Sequence, residues 1–203
     1  SMYIVLFPPN TAPDEHSHIA TAYYDANKIL FRDGVDEEGY VLVRKTDAQI
    51  QDKMAISLAD ASYYYNQLLK KGGQEQAALN RGPLAAPFIA HLPQAVGIVI
   101  GWLFHANGMI TLYLGKITAL FFYLLCVFWA VRFMPWGKTV MAVIALFPMS
   151  LEIAASYSYD CTVNALSFLF IGYTMYLIYE KERVTWKDYA FLTIVGMWMA
   201  PCK

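Results

Sequence analysis

The segment Pro13-Asp14-Glu15-His16-Ser17-His18 gathers two carboxylates and two imidazoles within six residues. On a helix starting at Pro13, Asp14 and His18 stand four residues apart and Glu15 and His18 three, so a carboxylate and an imidazole share one face. Such a group can take a proton from a substrate hydroxyl or hold a divalent cation. The plainer alternative is a helix N-terminus whose acids complement the macrodipole while Pro13 supplies the turn. Spacing leaves both open, and it puts His16 toward solvent.

Glu152, Ser156 and Asp160 recur at i, i+4 and i+8, which predicts one helical face near the end of an apolar segment. An acid placed in a bilayer costs roughly 2.5–3.5 kcal/mol by insertion scales, so its presence is a functional hypothesis by default. Asp160 has a milder alternative, capping the next helix by accepting amide hydrogens near Asn164. Lys116 lies in the longest apolar run, where it can neutralise one of these acids, bind a lipid phosphate, or snorkel to the headgroups. His91 and His105 bracket a short apolar helix and read as hydrogen-bonded interface residues. Tyr63-Tyr64-Tyr65 is predicted to pack at the membrane surface, with sugar stacking as the alternative.

These residues are carried by a chain of 203 residues, 58% hydrophobic and only 15% charged, with mean hydropathy +0.37. Soluble domains average about 25% charged residues, so an ordinary soluble globule is disfavoured, as is disorder. A net charge of −1 with no basic tract argues against nucleic acid as a partner. Residues 1–81 hold 11 acids and 8 Lys or Arg, while residues 82–203 hold 5 and 7. A polar head therefore precedes an apolar tail. Cys126, Cys161 and Cys202 have neither disulfide nor zinc spacing.

Residues 1–7 read as the end of a truncated membrane helix, stopped by Pro8 and Pro9. Residues 8–82 read as a water-facing loop with two amphipathic helices. The first spans 14–31 with Ile19, Ala22, Tyr23, Ala26, Ile29 and Leu30 on one face, suited to a bilayer surface or a partner helix. The second spans 47–71 with Ile50, Met54, Leu58, Ala61 and Tyr65 on one face, and residues 40–43 are predicted as a short strand between them. Residues 83–108 hold a re-entrant or interfacial helix near 93–104, too short to span. Membrane helices are predicted at about 109–131, 139–159 and 161–179, with a truncated one at 189–203. Arg132 and Lys138 flank one connection and Lys181, Arg183 and Lys187 another, whereas Ser156 to Asp160 has no cation. The positive-inside rule puts the two basic connections in the cytoplasm and the acidic loop outside, with Trp136 and Trp186 at the interface.

The strings PPNTAPDEHSHIATAY, HLPQAVGIVIGWLF, LYLGKITALFFYLL and LFPMSLEIAASYSYDCTVNALSFLF resemble a bacterial family of polytopic membrane proteins grouped with the GT-C glycosyltransferases. PDE-x-x-H and S-x-S-Y-D are the most specific elements, and the resemblance spans most of the chain outside about 33–80. It implies a mainly α, polytopic, GT-C-like membrane fold with juxtamembrane helices in a large first extracytoplasmic loop of a bacterial cell-membrane protein. It further implies an inverting sugar transfer from a polyprenyl-phosphate donor to a cell-envelope glycan or lipid acceptor. Asp14, Glu15 and Asp160 match catalytic positions, with Asp14 as the base. His18, Lys116 and Arg81 are the implied substrate-binding residues. A divalent cation (Mg or Mn) is the implied cofactor, with Asp14, His18 and Asp160 as its candidate ligands. Lys116 stands where the family has arginine and Glu152 where it has a neutral residue. Family members carry many more membrane helices, so the chain reads as an N-terminal module, with a homo-oligomer as one arrangement for its exposed faces. A membrane transport or binding protein using intramembrane acids is the alternative from another class.

Overall fold

The structure, a computed structural model, describes residues 9–10, 14–51, 61–68, 70, 72–73 and 75–202. The expected end of a first membrane helix, Pro13, and Met54 and Leu58 of the second amphipathic helix lie outside the described residues. The polar head opens with α1 (Glu15–Ile29), then β1 (Leu42–Arg44), α2 (Lys45–Gln51), α3 (Ala61–Leu68) and β2 (Gln76–Ala78). β1 and β2 pair antiparallel with Val43 opposite Ala77. The strand expected at 40–43 is thus present one to two residues later.

The apolar stripe of α1 is buried against protein rather than spread on a surface. Ile19, Ala22, Tyr23 and Ala26 are fully enclosed with Val41, Val43, Ile98 and Trp102. Tyr23 stacks on Trp102 with ring centroids 5.8 Å apart. Of the predicted faces for this helix, the partner helix is the one realised: α4 (Leu92–Leu103), entered through a 3-10 turn at Phe88–Ala90. Tyr63 packs on the same core.

α4 folds back along α5 (Gly108–Phe133) as an antiparallel hairpin. Gly97 allows the close approach: a Cβ there would run into the Leu114 carbonyl and the Thr118 hydroxyl of α5. Asn107 caps α5 by accepting from the Ile110 amide at 2.8 Å. The chain returns through α6 (Lys138–Ala145) and α7 (Pro148–Ala154), then enters α8 (Asp160–Tyr179) and α9 (Trp186–Met199). α8 runs beside α5 in the same direction, with Cys161 at Ala119 and Gly172 against Ala130.

Among the described residues, two helices, α5 and α8, are long and apolar enough to cross a membrane, with mean hydropathies of 2.0 and 1.5. Their outward faces are apolar too: Ile117, Phe121, Leu125, Phe128 and Trp129 on α5 and Ile171 and Ile178 on α8 are exposed. A helix apolar on both its packed and its open faces belongs in lipid or against another apolar surface. The stretch expected as a single span at 139–159 is two short helices, broken where Pro148 cannot continue the turn of α6. Glu152, Ser156 and Asp160 consequently do not share a helical face. Glu152 is exposed on α7, Ser156 lies in the connection, and Asp160 opens α8.

Candidate functional site

Glu15 and Lys116 form the centre of the contact between head and hairpin. Lys116 Nζ stands 2.9 Å from Glu15 Oε1, and both side chains are only 1–2% exposed. The Tyr157 amide donates to the same oxygen at 3.3 Å. The Tyr157 ring reaches this position because Gly115 leaves room for it, and its hydroxyl donates to the Leu112 carbonyl at 2.8 Å. The predicted snorkelling of Lys116 is replaced by a buried ion pair. An ammonium this far from water needs its carboxylate, so Lys116 is spent on Glu15 and does not reach a lipid phosphate.

Around this pair the predicted chemical residues converge. Asp14 is exposed at the N-terminus of α1, in the left-handed backbone region (φ 55°), and its side chain caps none of the first amides. Aspartate is among the few residues that visit this region readily. One turn on, His18 Nδ1 lies 3.0 Å from His91 Nε2. The edge of Tyr159 packs against both imidazoles, with centroids 5.1 and 6.0 Å away. Asp160 follows Tyr159, half-buried, and accepts from Ser158 Oγ at 3.2 Å while Ser158 Oγ accepts the Asp160 amide. Arg81, half-buried, reaches Ser17 Oγ at 3.3 Å.

Electrostatics tie these groups into one site. Partial burial holds the His18 imidazole below its usual range, opposed by the nearby charges of Asp160, Asp14 and Glu15. His91 is fully enclosed, and burial followed by the proximity of His18 pushes it down to about 3. Both rings are therefore neutral at pH 7. A neutral imidazole beside an exposed carboxylate can exchange a proton with a substrate oxygen. Among the described residues, no group of three or more His, Cys, Asp and Glu is arranged to hold a metal ion. Asp14, His18 and Asp160 share a neighbourhood without forming a ligand set.

Two members were missed from sequence. His91, 73 residues from His18, was read as an interface residue, yet it is the direct partner of His18. Gln94, fully buried one turn later, donates to the Ser158 carbonyl at 3.3 Å and braces the connection that carries Tyr157 to Asp160. The signal available for both was their presence in the string HLPQ beside the acidic motifs. His105 is exposed at the far end of α4 and takes no part in the site.

A family model described as predicted membrane protein (DUF2142) matches residues 2–203. The chain belongs to this family. As a DUF2142 membrane protein it contacts the lipid bilayer, which accounts for the open apolar faces of α5 and α8. No curated protein and no solved structure matches the chain.

Proposed function

We propose that this DUF2142 protein is the catalytic-loop part of a GT-C-like membrane glycosyltransferase that transfers a sugar from a polyprenyl-phosphate donor to a cell-envelope glycan or lipid acceptor. The observation that carries this reading is the convergence of Asp14, His18, His91 and Asp160, from three distant segments, at the N-terminal end of α8 beside the middle of α5. Charge placement supports an extracytoplasmic position for that end, since Arg132, Lys138, Lys181, Arg183 and Lys187 all lie in the opposite connections.

In this mechanism the acceptor oxygen attacks the anomeric carbon as the bond from that carbon to the phosphate oxygen breaks, with inversion. Asp14 takes the acceptor proton, and exposure suits it to that task better than Glu15, whose carboxylate is engaged by Lys116. Arg81 neutralises the departing lipid phosphate, the role that buried Lys116 cannot fill. His18 donates a hydrogen bond to the substrate, and Asp160 with Ser158 fixes the wall opposite. Because Asp160 lies in the first turn of α8 rather than midway along it, the arrangement favours transfer at a surface over a transport path through the membrane.

The test is transfer from labelled polyprenyl-phosphate sugars by the full-length protein in membranes. Asp14→Asn is expected to lower the rate by roughly a hundredfold or more. Transfer at the parental rate contradicts the base assignment. Solute uptake into reconstituted vesicles that depends on Asp160, with no transfer from any donor, would replace this reading with transport.

A further inference from the structure

Imidazole nitrogens facing each other at 3.0 Å are joined by a shared proton or a shared metal. No third ligand completes a metal set around His18 and His91 among the described residues, which leaves the proton. The direction of that hydrogen bond is set by the other nitrogen of His91. Nδ1 of His91 is enclosed and has no hydrogen-bond partner, although His91 occupies the N-cap position of α4 and could have accepted from its first amides. A buried N–H with nothing to donate to is rarer than a buried acceptor left bare. The stable tautomer of His91 therefore carries its proton on Nε2 and donates it to His18 Nδ1. With Nδ1 occupied as an acceptor, His18 bears its own proton on Nε2.

We infer that His91 is a positioning residue for the candidate site: it fixes the tautomer and ring orientation of His18, so that His18 presents an Nε2–H donor to the substrate. Tyr159 packs edge-to-face against both rings. The charged and titratable groups around the pair are Asp14, Glu15 and His16 on α1 and Asp160 with Tyr159 at the start of α8. A fixed N–H donor there adds no positive charge beside Asp14. The catalytic consequence rests on the transferase reading; the hydrogen-bond direction does not.

Nitrogen NMR of the full-length protein in lipid nanodiscs, with 15N-histidine at pH 8, reads the arrangement directly. The expected result is a scalar coupling across the hydrogen bond between His91 Nε2 and His18 Nδ1, with the proton on the His91 side and His18 Nδ1 bare. A proton on His18 Nδ1, or two unlinked rings, overturns the proposal whether or not the protein transfers sugar. His91→Leu is expected to lower kcat by about tenfold with KM little changed, the size typical of losing an orienting partner. His91→Gln, whose side-chain amide can donate to the same nitrogen, restores most of the loss. Equal loss in both variants marks His91 as a packing residue and overturns the positioning role. Absence of transfer in the parent counts against the transferase reading alone, and the coupling then decides this one.

Discussion

Two buried clusters of charge join the polar head to the α4–α5 hairpin, and they are completed to different degrees. At the end of the hairpin nearest Ala106, Arg44 grips Asp47 through two bonds of 3.0 Å. Arg44 also donates to the Ala106 carbonyl and the Thr111 hydroxyl, each at 2.8 Å, and Trp102 donates to Asp47 at 2.9 Å. Every strong donor and acceptor of that knot has a partner, and none is open to solvent. At the other cluster, Glu15 and Lys116 are equally well buried, but the groups stacked on them are left incomplete. Asp14 is exposed, Asp160 is half-exposed, and His91 Nδ1 has no partner. A satisfied network fixes structure, whereas open capacity held on a rigid base is what a substrate site requires. The same interface thus holds a fastener and a candidate site, with Glu15–Lys116 as its floor.

Substitutions that strand a charge separate the two most strongly. Asp47→Ala leaves the Arg44 guanidinium buried without its carboxylate and is expected to cost about 3–5 kcal/mol, seen as a lower unfolding midpoint in detergent or nanodiscs. Lys116→Met strands Glu15 and is expected to cost a comparable or slightly smaller amount, because the Tyr157 amide still serves Glu15. Adding Glu15→Gln to Lys116→Met should recover most of that loss. Additive losses would show that the two side chains do not act as a pair.

A smaller effect concerns Asp25, buried on α1 with Oδ2 lacking a partner and its carboxyl pushed up to about 7 by burial. The folded state holds this proton more tightly than the unfolded chain, so folding stability falls as pH rises from about 4 to 7. Asp25→Asn is expected to stabilise the protein at pH 8 by on the order of 1–2 kcal/mol and to do little at pH 4, measured by denaturation at both. A variant stabilised equally at both would remove the titration account. The smallest change in stability belongs to Asp14→Asn, within about 0.5 kcal/mol, because its side chain is exposed and caps nothing. The contrast with its large expected effect on transfer is the signature of a working group.

Much of the architecture was legible because apolar runs and α1's stripe are local signals. The edges of α4, α5 and α8 fall within a few residues of the predicted spans, whereas the single span expected at 139–159 is two helices broken at Pro148. Convergence of Asp14, His18 and Asp160 could be expected only through the paired motifs, since nothing in their spacing joins residues 142 or more apart. What spacing could not convey was pairing. Lys116 had three roles open to it, an acid near 152–160, a lipid phosphate or the headgroups, yet the partner it found is Glu15, brought there by the packing of α1 on α4. The Arg44–Asp47 knot escaped notice because two opposite charges three residues apart in a strand-to-helix turn look like ordinary surface charge. The close approach of Gly108 to Asp47, with Trp102, Ala106 and Thr111 of the hairpin, buries them.

The structure of the full-length protein bound to a polyprenyl-phosphate sugar tests the central claim most directly. The account predicts the phosphate at Arg81, and the anomeric carbon placed so that an acceptor oxygen about 3 Å from it also lies within hydrogen-bond reach of Asp14. A headgroup bound instead at the Arg132 and Lys138 end of the bundle, or one contacting Glu15 and Lys116 with their ion pair opened, would contradict it.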